Sequence, residues 1–210
     1  MAEYRLHCFG ESGNAYKCAL MLACAGADWE IVPVRFFDGE TRSLEWRGAV
    51  NTMGEAPVLE HRGERLSQSG VILDYLAGTL GKFGGRDASE TREIWRWILF
   101  DNHKFTSYYA TLRFLFGIQK TGETPVTEFL RARAAAAYAI ADKHLEANAF
   151  LVGGRPTIAD FSLAGYVFYP EATGIDRAKS FPHVDAWTKR LAALPGWAAP
   201  YDLMPRAAKA

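Results

Sequence analysis

A serine between the first predicted strand and the first predicted helix has a clear possible chemical use. Ser12 follows the apolar alternation of residues 4–9 and precedes a helical pattern over residues 15–25. Free backbone N–H groups and the helix dipole favour an anion at such a position, and a thiolate held there is stabilised relative to its thiol. The sequence equally permits a plainer role, in which Ser12 only caps the helix.

A second segment, Ala56-Pro57, stands at the start of a short strand pattern. A proline in this place indicates a rigid turn. If the bond before Pro57 is cis, the backbone N–H and C=O of Ala56 stay free to pair with an extended, peptide-like ligand. The alternative is an ordinary trans proline that begins a strand.

A third segment, Gln68-Ser69, opens another helical pattern. A hydroxyl, a side-chain amide and free backbone N–H groups come together there, which suits a carboxylate. Simple capping of the helix by residues 67–69 is again the alternative.

The elements that must position these segments follow in the order β-α-β-α-β-β-α, which fits one small mixed sheet with flanking helices. Strand patterns cover residues 4–9, 29–37, 55–60 and 65–66, and helical patterns cover residues 15–25, 39–50 and 69–76. A glycine-rich stretch over residues 78–88 indicates a linker. Only helical patterns follow, at residues 89–116, 125–148, 157–168 and 184–194. We therefore predict two domains, over residues 1–79 and 88–210.

Composition argues against several classes of protein. In 210 residues, 24 Lys and Arg balance 24 Asp and Glu, so there is no basic surplus for binding nucleic acid by bulk charge. The three cysteines and five histidines lack the spacing of a metal site, so we expect no metal. The chain begins with neither a signal peptide nor an apolar run of the ~18 residues that a membrane span needs. We therefore expect a cytoplasmic protein with no membrane or nucleic-acid partner.

The order and spacing of these segments resemble the cytosolic glutathione S-transferases, of a bacterial, serine-dependent type, along nearly the whole chain. The matching segments are residues 12–17, 39–41, 51–59, 68–76, 157–160, 181–187 and 194–196. The resemblance implies a thioredoxin-like α/β N-terminal domain that binds glutathione, and an all-α C-terminal domain that forms the co-substrate site. It also implies that Pro57 is cis, that Ala56 pairs its backbone with the cysteinyl part of glutathione, and that Gln68 and Ser69 hold the γ-glutamyl carboxylate.

The resemblance further implies that Ser12 is the hydroxyl that activates the thiol, with Asn14 as a second thiol contact. Cysteine and tyrosine do not stand at the matching positions. Gly54 stands where some classes carry a histidine that binds the glycine carboxylate of glutathione, so this contact has to come from elsewhere. Arg35 and Arg42 are weak candidates for it.

In the second half of the chain, Thr157 and Asp160 match the family's capping box, to which we assign no chemistry. The aromatic tract over residues 100–116 is more typical of a core than of a ligand site. Because the family's apolar co-substrate site involves this helix, we nevertheless name Tyr108 and Arg113 as substrate-binding candidates. Family resemblance and the apolar surface of the tract also predict a homodimer.

These observations predict a glutathione transferase that activates the glutathione thiol for attack on a small hydrophobic electrophile, in a detoxification role. A glutathione-dependent isomerase or peroxidase on the same fold stays open, as does a non-catalytic binding protein. A thiol-disulfide reductase is disfavoured because Ser12 stands where its nucleophilic cysteine belongs.

Overall fold

A computed structural model of the chain describes residues 2–206, which divide into two compact units. The first unit extends to Gly84 and also takes in the chain from Leu194 onward, and the second comprises Gly85–Ala193. The strands of the first unit are β1 (Tyr4–Cys8), β2 (Trp29–Pro33), β3 (Val58–His61) and β4 (Glu64–Ser67). Its helices up to Gly84 are α1 (Gly13–Ala25), α2 (Leu44–Ala49) and α3 (Ser69–Leu80), with a 3₁₀ turn at Glu40–Arg42.

The four strands form one mixed sheet in the order β2-β1-β3-β4. β1 runs parallel to β2 and antiparallel to β3, with Leu6 opposite both Ile31 and Leu59. Leu6 and Leu59 are fully buried, whereas the alternate β1 residue His7 packs its ring against Trp46 of α2. Side chains that alternate along a strand point to opposite faces, so Leu6 and His7 serve different faces of the sheet. This is the mixed sheet with flanking helices that the sequence predicts.

The second unit is mostly helical, as predicted. Its helices are α4 (Ala88–Phe100), α5 (Ser107–Leu112), α6 (Pro125–Leu145), α7 (Ile158–Ala164), α8 (Arg177–Ser180) and α9 (Pro182–Ala192). Two π-helical turns, Asp101–Thr106 and Arg113–Ile118, flank α5, so the long helix predicted over residues 89–116 is irregular. Buried Asp101 holds the first of these turns, because it accepts hydrogen bonds from Thr106, five residues on, and from Ser162.

The predicted capping box is present, with an additional set of partners. The carboxylate of Asp160 accepts hydrogen bonds from the backbone N–H and the hydroxyl of Thr157, at 2.9 and 3.0 Å. It also accepts from the backbone of Leu151 and from the indole of Trp187, both at 2.9 Å. Asp160 therefore joins the start of α7 to α9 and to the preceding loop.

Residues 194–206 belong to the first unit by their contacts, whereas the sequence pattern places them in the domain of residues 88–210. A short helix, α10 (Pro200–Leu203), lies against α1. The Tyr16 hydroxyl donates to the carbonyl of Ala198 at 2.8 Å. A Cβ at Gly196 would lie only 2.3 Å from the carbonyl oxygen of Ala23, so glycine permits the close approach. Tyr16 and Ala198 are 182 residues apart, and contacts between such distant segments leave no local pattern in a sequence.

Within residues 2–206, none of the helices is both long enough and apolar enough to cross a membrane.

Candidate functional site

Ser12 lies where β1 passes into α1, at the N-cap of the helix. Its backbone N–H donates to Phe9 O at 3.1 Å, and its Oγ accepts from the backbone N–H of Ala15 at 3.2 Å. At the other end, Gly26 closes α1 in the left-handed conformation, as the pattern predicts. Ser12 is thus a real cap. A hydroxyl has one hydrogen and two lone pairs, and in the described part of the chain no acceptor takes the hydrogen of Ser12.

The N-termini of α1 and α3 lie side by side. Ser69 Oγ lies 3.4 Å from Asn14 Oδ1, to which it donates. Below them, Cys18 Sγ approaches the carbonyl oxygens of Asn14 at 3.7 Å and of Ser69 at 4.0 Å. Two helix N-termini therefore meet in one place, with the free N–H groups and positive dipole ends that favour anions.

The peptide bond between Ala56 and Pro57 is cis, so the expectation drawn from the resemblance holds in the structure. Pro57 is buried and Ala56 is partly exposed. Among the described residues, no hydrogen bond occupies the backbone N–H or C=O of Ala56. A free donor and a free acceptor on one residue are what an extended peptide-like ligand needs for backbone pairing.

Gln68 occupies the N-cap position of α3, but its side chain makes no capping hydrogen bond. Of residues 67–69, for which the sequence permits simple capping, Gln68 therefore does not cap α3 with its side chain. Its φ of +71° is unusual for a residue other than glycine, and such conformations concentrate at functional sites. Its amide nitrogen donates to Glu55 Oε2 at 2.7 Å. The sequence did not single out Glu55, because an exposed acidic residue before a proline turn is an ordinary feature.

A second residue that sequence reasoning missed is Arg47. A Cβ at Gly54 would lie 2.8 Å from Arg47 Nη2, so the guanidinium lies over the loop that leads to Ala56. Neither an ion pair nor a hydrogen bond engages the Arg47 side chain among the described residues. Arg35, in contrast, is held by Glu40, which accepts from its backbone N–H at 2.6 Å. Arg47 is therefore a positively charged group beside this loop, in addition to Arg35 and Arg42, which the sequence names as weak candidates.

The two candidates in the helical unit have different environments. Arg113 is only 2% exposed, and its guanidinium pairs with Glu171 at 2.8 Å and stacks over the ring of Tyr169. These contacts give Arg113 a structural role within its unit, and they do not favour the predicted role as a substrate contact. Tyr108 is partly exposed and makes an edge contact with Phe129.

The cysteines do not have the properties of nucleophiles. Burial raises the pKa of Cys8 to about 12 and that of Cys24 to about 11, and it also raises the pKa of Cys18. A thiol with a raised pKa is protonated at neutral pH and reacts poorly. Among residues 2–206, no three His, Cys, Asp or Glu side chains lie together as metal ligands would.

Two family models match the chain. The "Glutathione S-transferase, N-terminal domain" covers residues 3–78, and the "Glutathione S-transferase, C-terminal domain" covers residues 106–195. The chain is 30% identical over 194 residues to glutathione S-transferase-like protein LUC7 of Fusarium sp, across 89% of this chain and 87% of that protein. It is 29% identical over 184 residues to the maleylacetoacetate isomerase of Rhizobium meliloti (strain 1021), across 84% and 85%.

The structure is similar to solved bacterial structures as well. It superposes on a glutathione S-transferase from Pseudomonas fluorescens Pf-5 with a TM-score of 0.89 and 28% identity, across 95% of this chain and 99% of that one. The two matched models together cover more than half of the chain, including Ser12, Ala56, Pro57, Gln68 and Ser69. With its four-stranded mixed sheet, cis-proline and helical second unit, the chain belongs to the glutathione S-transferase family of enzymes.

Proposed function

We propose that the chain is a glutathione transferase that ionises the thiol of glutathione beside Ser12 and directs it at a small hydrophobic electrophile. The observation that carries this proposal is the arrangement of the first unit, in which the N-termini of α1 and α3 lie together through Asn14 and Ser69. The free backbone of Ala56 beside cis-Pro57 adds a pairing site for a peptide. An extended tripeptide with a thiol in its middle residue and carboxylates at both ends matches these features.

The γ-glutamyl end of glutathione is placed at the start of α3. The first N–H groups of the helix can donate to its α-carboxylate, and Ser69 Oγ can do so by exchanging its long 3.4 Å hydrogen bond to Asn14 Oδ1 for one to the ligand. The α-ammonium group of the same residue then lies within the field of Glu55, whose carboxylate is already oriented by Gln68. Gln68 and Glu55 together suit a zwitterionic head group better than a simple anion.

The glycine end is assigned to Arg47. Its guanidinium lies over Gly54 on the approach to Ala56 and carries no partner among the described residues. A guanidinium recognises a carboxylate with two parallel hydrogen bonds. Arg42 is also exposed, on the neighbouring 3₁₀ turn, and replacement of Arg42 is the matched control for replacement of Arg47.

At the centre of the ligand, the hydroxyl of Ser12 donates its hydrogen to the sulfur while its oxygen continues to cap Ala15. The amide of Asn14 is the second candidate donor. The thiol loses its proton to solvent, and the thiolate attacks an electrophilic carbon to form a C–S bond. The bond from that carbon to its leaving group breaks and the leaving group departs with the electron pair, or, for a conjugated double bond, the π electrons move to the neighbouring carbon, which takes a proton from solvent. The co-substrate is proposed to contact Tyr108 in the helical unit, and the enzyme is proposed to act in detoxification, in the cytoplasm and as a homodimer. Exposed Leu99, Phe129 and Ile140 support a partner for that unit.

A glutathione-dependent isomerase is the second candidate function. It is favoured by one observation, the similarity to proteins named maleylacetoacetate isomerase from Rhizobium meliloti and from Rattus norvegicus. An isomerase would use the same thiolate, which adds to a conjugated double bond and leaves again after rotation.

Calorimetry and a panel of assays test the proposal. We expect wild-type protein to bind glutathione, and the double variant Gln68→Ala/Ser69→Ala to stay folded but bind it at least tenfold more weakly. The panel compares conjugation of an aryl halide, reduction of a hydroperoxide and cis–trans isomerisation of a conjugated diacid. Conjugation as the fastest reaction supports the transferase, and isomerisation as the fastest supports the second candidate. Absence of glutathione binding by the wild type would defeat both.

A further inference from the structure

A network of charged side chains lies on the same face of the sheet as α2, and Glu60 of β3 is its centre. Glu60 accepts from Arg5 Nη1 at 2.7 Å and from Arg65 Nε at 2.6 Å. Arg5 also donates to Glu30 at 2.9 Å. Each of the four strands contributes one of these residues. An isolated surface ion pair contributes little, but a network with shared partners fixes the position of each member.

Arg65 connects this network to α2. While its Nε bonds to Glu60, its Nη1 donates to the carbonyl oxygen of Ala49, the last residue of α2. The last carbonyls of a helix lack intrahelical donors and form the negative end of its dipole, so a cation there is stabilising. His7, whose Nε2 lies 3.2 Å from Glu60 Oε1, packs its ring against Trp46 of the same helix. These two polar attachments of α2 to the sheet therefore involve Glu60 directly. They lie beside the apolar packing of Trp46 on Val34 and Val58.

Hydrogen bonds join α2 to the loop that leads to Ala56. The backbone N–H groups of Val50 and Asn51 both donate to Trp46 O, at 2.8 and 3.1 Å. The side chain of Asn51 then spans the loop, since it donates to Glu55 O at 3.0 Å and accepts from Met53 N at 3.0 Å. The position of α2 consequently sets the position of Arg47 over Gly54.

We infer that Arg65, held by Glu60, is a positioning residue for the glycine end of the glutathione site. Arg65 acts through α2 and Arg47 and does not touch the ligand, and its role rests on the function proposed above. The γ-glutamyl carboxylate is assigned to Ser69 and the first N–H groups of α3, and the Glu55 carboxylate beside it is held from the α3 side by Gln68 rather than by α2. Loss of Arg65 therefore weakens recognition of one end of the ligand and spares the other.

The experiment compares two ligands, glutathione and γ-glutamylcysteine, which lacks the glycine. Calorimetry gives the Kd of each for wild type, Arg65→Gln, Arg47→Gln and a control, Arg62→Gln. Arg62 lies on the same hairpin but pairs with Glu3. We expect Arg65→Gln to weaken glutathione binding by roughly two- to thirtyfold, the range for residues that act through a packed network, with γ-glutamylcysteine binding unchanged. Arg62→Gln should change neither Kd.

A purely structural role for Arg65 would weaken both ligands equally, and that result overturns the inference, as does an unchanged glutathione Kd. Because Arg65→Gln could destabilise the hairpin, circular dichroism is recorded for each variant, and Glu60→Gln supplies a second route to the same loss. Glu60→Gln should reproduce the selective weakening. If wild type binds neither ligand, the proposed function and this inference are overturned together. If wild type binds both ligands with equal Kd, the role of Arg47 is overturned, and with it the role of Arg65, while the roles of Ser12 and Ser69 are unaffected.

Discussion

Replacement of Ser12 by alanine tests two roles of one hydroxyl, the capping of α1 and the activation of the glutathione thiol. The oxygen accepts the Ala15 N–H at 3.2 Å and caps α1, and the hydrogen is left for the glutathione sulfur. Loss of an N-cap costs about 1 kcal/mol of stability. Loss of a hydrogen bond to a charged group costs about 1.5–3 kcal/mol, which is roughly a 10- to 150-fold drop in turnover.

The thiolate can be measured directly by its ultraviolet absorbance while the glutathione complex is titrated. A free thiol ionises near pH ~8.5. In wild type we expect an apparent pKa closer to neutrality, and in Ser12→Ala a value higher by about one to two, since each unit corresponds to ~1.4 kcal/mol. Turnover of the variant should recover as the pH approaches ~9, because the thiol then ionises without help. The Kd for glutathione should change little.

Two control variants isolate the effect. Ser12→Thr retains a hydroxyl that can both cap and donate, so it should keep most of the activity. Thr124→Ala removes the cap of α6, where Thr124 Oγ1 accepts from Thr127 N at 3.1 Å, and should cost similar stability with unchanged turnover. Unchanged turnover and an unchanged thiol pKa in Ser12→Ala would refute the reasoning and transfer the role to Asn14.

Three further predictions concern stability and assembly. Asp160→Asn leaves two of four buried donors facing an amide nitrogen. A buried donor left without an acceptor costs about 1–3 kcal/mol, so unfolding in urea should show a loss of about 2–6 kcal/mol; a loss below about 1 kcal/mol contradicts the role of Asp160. Hydrogen bonds from the Arg86 side chain and backbone lower the pKa of Glu90 to about 2. A carboxyl whose pKa is lowered by folding stabilises the folded state above the pKa of the unfolded chain, which is ~4.3, and this stabilisation is lost as the pH falls towards 2. Glu90→Gln should therefore be less stable than wild type at pH 7 and equal to it near pH 2. An equal loss of stability at both pH values argues against the contribution of the Arg86–Glu90 pair. Light scattering at micromolar concentration should give about twice the 23.3 kDa chain mass, and a monomer there would exclude the homodimer.

The parts of the fold that local patterns encode were predictable. Ser12 and Gly26 mark both ends of α1, and Thr157 and Asp160 mark the start of α7, because capping residues lie within four positions of the groups that they satisfy. The cis bond at Pro57 was predictable only through the family resemblance, since trans is the usual state of an X–Pro bond.

The features that sequence reasoning missed all depend on contacts between distant segments. Arg47 differs from Arg35 and Arg42 only because the chain brings Gly54 beneath it. From the sequence, Arg113 is a candidate substrate contact, but in the structure it is buried and forms an ion pair with Glu171, 58 residues later in the chain. A sequence lists the charges, while the fold decides which of them are already paired, and only an unpaired charge is available to a ligand.

The same argument resolves the choice that the sequence left open at each helix start, between capping and ligand binding. At Ser12 the two roles coexist, because the cap uses a lone pair and leaves the hydrogen available. At Gln68 they separate, since the side chain turns away from α3 towards Glu55 and leaves the helix N–H groups open. An N-terminus whose donors are incompletely capped by its own chain keeps the capacity to bind an anion. In this first unit that capacity is concentrated where α1 and α3 begin, and the cis turn places the free backbone of Ala56 in the same unit for a peptide that carries the anion.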